Sequence, residues 1–335
     1  MPAVAKVQKL WKDGVVSGRN SFLAAYDRPV PLFNMIYVRL FVCIFFVWKI
    51  LSRDFEMFGT LPDGILYYYP YRIYSDYMLT TGLPGLMELA TFHWIHWLTG
   101  MPDAAALHVV KWFAVAVCVM HAVFGAGPKR ILAVLNYALV MYLWGFLFMF
   151  GQDFDAVYIY QGVLFCLMFT RHDSLPLWRL RKKHITGNDI EAGRSFSAIL
   201  LIFVLYYFGS GINKLSDISF AQWFDYNLVG TVELALDQGR LGYMSTPFEF
   251  FSIISGHDWI NYIAVPAVYI SHLLIPLVFF RRIFIYEFAL FYFLFHFITM
   301  AVAIAFTGYL FVWAMLFNVS GILAWLFFRA REVRP

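Results

Sequence analysis

The residues of this chain that could do chemistry centre on Lys214, in the stretch YYFGSGINKLSDISFAQW at 206–223. By helical spacing Lys214 shares one face with Ser210 and, one turn further in, with Tyr207. The small residues at 209–211 would let another helix or a flat ligand approach closely. Because a lysine in a partly dry pocket has a lowered pKa, Lys214 could act as a general base.

Other ionisable residues lie in or beside apolar stretches, where each needs a partner, a cavity or a function. The alternative for Lys214 is that it only extends toward lipid headgroups, as long basic side chains at helix ends do. That interpretation is favoured for the residues near the other span ends, which are Lys49, Lys111, His121 and Glu287.

His296, in FYFLFHFITM, lies in an apolar stretch, where a histidine is either an interhelical contact or a proton carrier. Asp153 and Asp155 belong to the short turn GQDFDAV, on the same side of the membrane. His272, in YISHLLIPL, lies nearer the middle of its span. We expect these side chains to meet Lys214 in one outer-leaflet cavity.

These residues stand out because the chain is so apolar. Of 335 residues, 61% are hydrophobic and 14% charged, whereas soluble domains carry roughly a quarter charged residues. The apolar blocks approach the ~20 residues that cross a ~30 Å hydrocarbon layer, without the alternation of a β-barrel. We predict an all-α polytopic membrane protein, a bundle of about eight transmembrane helices with interfacial helices on the non-cytoplasmic side. The predicted spans are 31–51, 104–124, 131–150, 156–170, 196–215, 259–280, 283–303 and 309–328.

Basic residues are distributed unevenly between the loops that these spans define. One set of alternate loops collects most of the Lys and Arg residues, and the opposite set holds only Arg53, Arg72, Lys214 and Arg240. By the positive-inside rule, both termini are cytoplasmic. The predicted organisation is a basic cytoplasmic segment at 1–30, a transmembrane domain at 31–328 and a cytoplasmic tail at 329–335. A cleavable signal is not recognised, and the minimal domain favours a bacterial inner membrane.

Two long segments fall on the non-cytoplasmic side. The first, 52–103, is rich in Tyr, Trp and His and is expected to form interfacial helices. The second, 216–258, has Gly and Pro between apolar stretches and is expected to cap the bundle. Glu233 and Arg240 in this segment are predicted to order the loop over the cavity.

Several classes of function lack their signals. The three cysteines show no CxxC or Cys/His spacing, so we predict neither a disulfide framework nor a metal site. No Walker loop, GxGxxG, GxSxG or HExxH motif occurs, which argues against a nucleotide cofactor. The net charge of +4 gives no reason to expect a nucleic-acid partner. A lipid-soluble cofactor entering from the bilayer would need none of these motifs.

Four blocks resemble a known family when they are taken in order. They are YYFGSGINKL, VGTVELALDQGRLGYMSTP, YISHLLIPLVFFRR and LFHFITMAVAIAFTGYLFVWAMLF. They are similar to blocks of the HTTM domain, the membrane domain of vitamin K-dependent gamma-glutamyl carboxylase and its bacterial relatives. The resemblance runs from about residue 31 to 328.

The resemblance implies a chemistry and assigns residues to it. The family's lysine before a leucine deprotonates a reduced quinone of the vitamin K or menaquinol kind, and by motif it is Lys214. Reaction with O2 then produces the strong base that precedes addition of CO2 to a peptide glutamate. His296 matches a family histidine implicated in activity. A second family histidine is replaced here by Asp155 or Ala156, and the large soluble domain of the animal carboxylase does not follow the last span.

Three hypotheses of function remain open. The first is a membrane enzyme that acts on a quinol or similar lipid-like substrate, with Lys214 as base, His296 relaying protons and Asn213 bonding a substrate oxygen. Tyr207, Asp153, Asp155 and His272 would complete its binding site. The second is a non-catalytic accessory protein for export or maturation of a secreted peptide or toxin, as some small HTTM proteins are. A transporter comes third, because no inverted repeat is evident.

Overall fold

A computed structural model describes residues 16–60, 102–149, 157–170, 175–178, 188–217 and 258–281, with helical positions 288, 290–292 and 294–295. Within these ranges the chain is predominantly helical, and its two strands are only two residues long. Residues 16–26 are helical. The further elements, in order, are β1 (Val30–Pro31), α1 (Phe33–Leu51), a 3-10 helix (Glu56–Thr60), α2 (Ala104–Phe124), a short 3-10 turn (Pro128–Arg130), α3 (Ile131–Met149), α4 (Val157–Phe169), β2 (Asn188–Asp189), α5 (Ile190–Asp217), α6 (Asp258–Leu274) and α7 (Pro276–Arg281).

The helices coincide with the apolar blocks of the sequence. The predictions of helix at 31–51, 104–124, 131–150 and 156–170 are confirmed to within two residues at each end by α1 to α4. The block at 196–215 lies inside the longer α5, and the block at 259–280 is divided into α6 and α7 at Pro276. Most of 283–303 and all of 309–328 lie outside the described residues.

Three helical stretches are long and apolar enough to cross a membrane: Asn34–Thr60, Ala104–Phe124 and Ile190–Ile212. Shorter apolar helices cover Ile159–Phe169 and Pro266–Phe280. Large apolar side chains such as Val109, Trp112 and Leu205 are exposed on the long helices. A surface of this kind is suited to lipid rather than water.

Polar residues fix where the helices begin. Asp103 caps α2, because its carboxylate accepts a hydrogen bond of 2.7 Å from the backbone N–H of Ala106. Asp189 caps α5 in the same way, accepting from the N–H of Ala192 at 2.8 Å. Each cap satisfies an N–H that has no partner within the helix.

Contacts at the helix ends show that α1 and α5 start at the same end of the bundle. β1, just before α1, pairs in antiparallel register with β2, just before α5, so that Val30 faces Asp189. Nearby, Arg194 donates a hydrogen bond of 2.7 Å to the carboxylate of Asp27. This hydrogen bond is the main reason why the pKa of Asp27 lies below its ordinary value.

At the other end, the 3-10 helix after α1 meets the beginning of α2. Lys111 forms an ion pair of 3.2 Å with Glu56, and His108 lies 2.8 Å from the same carboxylate. The Lys111 side chain is only 13% exposed. The prediction that Lys111 extends to the headgroups is therefore wrong, because a carboxylate within the protein binds its amine.

Aromatic rings fill the space between α1, α3 and α4. The rings of Phe45 and Tyr160 stack with centroids 3.8 Å apart, and Phe46 meets Trp144 edge to face at 5.3 Å. All four side chains are fully buried. Packing of large rings therefore holds the centre of this part of the bundle together.

Gly193 in α5 lies where the helix touches the chain before α1. A Cβ at this position would collide with the backbone carbonyl of Arg28. We predict that Gly193→Ala lowers the free energy of unfolding by about 1–3 kcal/mol, because backbone atoms must shift. Thermal unfolding of the purified protein in detergent would measure the change.

Gly209 of the same helix provides the matched control, since nothing lies within 4 Å of a Cβ there. Gly209→Ala should be neutral or stabilise the protein by about 0.5–1 kcal/mol, because alanine favours the helix. Equal effects of the two substitutions would contradict the close approach at Gly193.

Candidate functional site

The interface between α5 and α6 brings together two of the predicted site residues. The phenol ring of Tyr207 and the imidazole of His272 stack with centroids 5.4 Å apart and planes 20° from parallel. Tyr207 is 2% exposed and His272 is 4% exposed. The two helices thus join a phenol and an imidazole in a site shielded from solvent.

Gly211 explains why α5 and α6 come so close at this point. A Cβ at position 211 would lie 3.0 Å from the Cβ of His272. Positions 207, 211 and 214 follow at helical spacing, and α5 is continuous to Asp217. Position 214 therefore lies on the face of α5 that meets His272 at Gly211, about 4.5 Å further along the axis.

Two further residues complete the group around His272. The Tyr292 ring lies 4.7 Å from that of Tyr207 and 5.4 Å from that of His272, and Tyr292 is fully buried. Its hydroxyl lies 2.9 Å from the Oγ of Ser271. Sequence reasoning missed both residues, although Tyr292 stands four residues before His296 and Ser271 stands beside His272.

The other predicted site residues are placed in part or not at all. Asn213 and Lys214 are positions within α5, but their side chains lie outside the described atoms. The remaining predicted residues fall outside the described ranges; they are Asp153, Asp155, Glu233, Arg240 and His296. Tyr207 and His272 are the predicted residues whose side chains can be described.

A second buried polar group lies between α1, α2 and α3. Asn136 accepts a hydrogen bond of 2.8 Å from the Cys118 thiol through Oδ1. Its Nδ2 donates to Nδ1 of His121 at 2.9 Å and to Sγ of Cys43 at 3.6 Å. The Cys43 sulfur lies 3.8 Å from the same imidazole nitrogen. All four side chains are fully buried.

This group corrects the prediction for His121, which was expected to reach the headgroups. The imidazole instead faces the protein interior, where Asn136 satisfies it. Because an amide nitrogen can only donate, Nδ1 of the imidazole is the acceptor of this hydrogen bond. The three-residue spacing of Cys118 and His121 on one helix was the available signal.

The hydrogen bonds of Asn136 tie the three helices together. Both its amide hydrogens and its oxygen are engaged, as a polar side chain requires in an apolar interior. Among the residues that the structure describes, no group of three or more His, Cys, Asp or Glu side chains is arranged to hold a metal ion. The arrangement is suited to fixing helix positions, because one amide joins side chains of three helices.

Arg39 of α1 is a fully buried charge. Its Nη2 donates a hydrogen bond of 2.7 Å to the carbonyl oxygen of Leu175, beyond the end of α4. The guanidinium thereby joins α1 to the chain that follows α4. Because the partner of Arg39 is a backbone carbonyl, this hydrogen bond is a structural contact. It is separate from the group of Tyr207, His272 and Tyr292 around α5.

Comparison with known proteins adds no family to this geometry. The chain gives no significant match to a family model, a curated protein or a solved structure.

Asn136→Leu should lower the free energy of unfolding by about 1–3 kcal/mol, although leucine has a similar volume. The substitution leaves the buried Cys118 thiol and the imidazole of His121 without their amide partner. Unfolding in detergent would measure the loss. Asn20→Leu, at an exposed helical position, is the control and should change stability by less than about 0.5 kcal/mol.

A double-mutant cycle sharpens this test. Cys118→Ala combined with Asn136→Leu should cost less than the sum of the single substitutions, because both remove the same hydrogen bond. Strict additivity would contradict a shared network.

Proposed function

We propose that the protein is an integral membrane enzyme of the vitamin K-dependent carboxylase-like (HTTM) family. It acts on a quinol or similar lipid-like substrate at the non-cytoplasmic end of α5, with Lys214 as the general base. The observation that carries this proposal is the stacking of Tyr207, on α5, with His272, on α6. Tyr207 lies on the face of α5 that also bears position 214.

The buried rings of Tyr207 and His272 form an aromatic wall one to two turns before position 214, and Gly211 brings α6 close to α5 there. We place the quinol ring beyond this wall, toward the end of α5. Its hydroxyl groups would then lie within reach of a lysine at position 214.

The proposed chemistry is a proton transfer. A reduced quinone, when bound, supplies an acidic hydroxyl group and the electrons for reaction with O2. Neutral Lys214 accepts the proton of that hydroxyl, since a partly dry site favours the uncharged amine. Asn213 bonds a substrate oxygen, and His296 passes the proton onward. Asp153, Asp155, Glu233 and Arg240 are the further substrate-binding residues of this proposal, and addition of CO2 to a secreted peptide is the further step that the resemblance implies.

We also propose the complete membrane arrangement. The chain crosses a bacterial inner membrane about eight times, with both termini in the cytoplasm. The pairing of the starts of α1 and α5 supports alternating helices, because it brings Arg28 and Arg194 to the same end. Lys129 and Arg130, between α2 and α3, belong to that end if the helices alternate.

Lys214→Arg should fold normally and lose quinol-dependent turnover by about 100-fold or more, because arginine keeps the charge but cannot release its proton at working pH. Lys214→Met should lose quinol-dependent turnover to the same extent. Oxygen uptake with reduced menaquinone would measure the rate, and organic extraction of the purified protein would identify bound quinone.

Lys49→Arg is the matched control, since Lys49 lies at the end of α1 beside the ring of Trp48. It should leave turnover unchanged. Full activity in both Lys214 variants would refute the role of Lys214 as the general base. Specific copurification of a protein partner without any quinone would favour the accessory function instead.

Two engineered cysteines would test the orientation. Thr60 and Lys129 are both exposed. The proposed arrangement places Thr60 on the non-cytoplasmic side of the membrane and Lys129 on the cytoplasmic side. Thr60→Cys should react with a membrane-impermeant maleimide in spheroplasts, and Lys129→Cys should react only after permeabilisation. The reverse pattern would overturn the orientation.

A further inference from the structure

We propose that the helix at residues 16–26 lies along the membrane surface, at the end of the bundle where α1 begins. Its exposed side chains Val16 and Leu23 contact lipid acyl chains, and the guanidinium of Arg19 binds the phosphate group of an anionic phospholipid. This contact with lipid requires only that the long apolar helices cross a bilayer. It is independent of the proposed quinol chemistry.

The second half of helix 16–26 is fixed against the rest of the protein. The ring of Phe22 stacks on that of Phe279 in α7, with centroids 5.2 Å apart. Ala25 is buried, and the carbonyl oxygen of Tyr26 lies 2.9 Å from the Oγ of Ser197 in α5. These contacts determine which side chains of the helix point away from the bundle.

The side chains that point away differ in polarity around the helix. Arg19 follows Val16 by three residues and precedes Leu23 by four, so these three residues form one row. Ser17 and Ser21 lie on the opposite side of the helix. Val16 is 51% exposed and Leu23 is 42% exposed, so the described part of the protein leaves the apolar row largely uncovered.

The end of the bundle beside helix 16–26 carries the side chains expected at a membrane–water boundary. Trp178 meets Phe124, the last residue of α2, edge to face at 5.7 Å, and both rings are exposed. The hydrogen bond from Arg39 of α1 to Leu175 places this pair at the end where α1 begins. Because exposed tryptophan is enriched at the level of the headgroups, an amphipathic helix here lies in the interface plane.

Arg19 supplies the charge that selects the lipid. Among the residues that the structure describes, no hydrogen bond or ion pair engages its guanidinium, which is exposed. The acidic residue that follows the helix, Asp27, is already bonded to Arg194 at 2.7 Å. A guanidinium forms paired hydrogen bonds with a phosphate, and its methylene groups can lie along apolar surface. Between Val16 and Leu23, Arg19 is thus suited to a phospholipid phosphate.

Nitroxide labels on single cysteines test how the helix lies. The variants are Val16→Cys and Leu23→Cys on the apolar row, with Ser17→Cys and Ser21→Cys as matched controls on the opposite side. The protein is reconstituted in vesicles of phosphatidylcholine and phosphatidylglycerol. We expect O2, which concentrates in lipid, to relax the labels at 16 and 23 several-fold more than a water-soluble nickel chelate does. The labels at 17 and 21 should show the reverse preference.

The labelling is made in a Cys166→Ala background. Without an added cysteine this protein should take up no label, because Cys43 and Cys118 are buried. Equal accessibility of all four labels to the nickel chelate would show a helix in water and overturn the proposal. Labels at 16 and 23 that neither reagent reaches would show a protein partner on the row, and would overturn it too.

Lipid charge tests the contact of Arg19. The label at position 23 is compared in vesicles of phosphatidylcholine alone and of an equal mixture with phosphatidylglycerol. The anionic lipid should raise the ratio of lipid-inserted to water-exposed label about fivefold, as expected for one basic residue near an anionic surface. Arg19→Gln should abolish this increase, because glutamine keeps the helix but has no charge.

Lys129→Gln is the matched control, since Lys129 is an exposed basic residue in the turn between α2 and α3. It should retain the full increase, and inorganic phosphate added to phosphatidylcholine vesicles should give none. An increase that persists in Arg19→Gln, or that Lys129→Gln also abolishes, would overturn the specific contact of Arg19 with lipid.

Discussion

Close packing against α5 is the constraint on which the described structure depends. This helix contacts β1, α1, α4, α6 and α7. Near its start Gly193 lies against the backbone of Arg28, and near its end Gly211 lies against His272. Small residues at both ends allow backbone and side chains to approach where a larger residue would hold them apart. The helix is therefore closely packed at both ends, including the end that carries position 214.

The buried polar residues form two groups with different surroundings. Around Asn136 the thiol and imidazole partners lie inside one group, which locks three helices together. Around His272 the polar atoms lie among aromatic rings on a helix face that continues to position 214. The first group is held by hydrogen bonds among its own side chains, and the second lies on the helix face that carries the proposed base.

Apolar blocks predicted the positions of the helices well, because the length of an apolar block depends on neighbouring residues alone. The break at Pro276 was missed, since 259–280 was predicted as one span. The sequence could not show which face of an apolar helix points inward, so His121 was wrongly assigned to the headgroups. Tyr292 and Ser271 were missed for a related reason: their contact joins α6 to a segment 21 residues away, and only packing of the helices brings them together.

Placing a base at the end of a long anchored helix has a physical advantage. A lysine deep in the hydrocarbon would stay neutral and be hard to protonate again, and one in water would be mostly charged and a weak base at neutral pH. The proposed function places Lys214 between these extremes. The buried rings of Tyr207 and His272 lie one to two turns away from position 214, and the proposed membrane arrangement puts that position near the boundary. Rigid packing of Tyr207, His272 and Tyr292 then determines the geometry in which such a base meets its substrate, so the packing of α5 and the proposed chemistry depend on the same contacts.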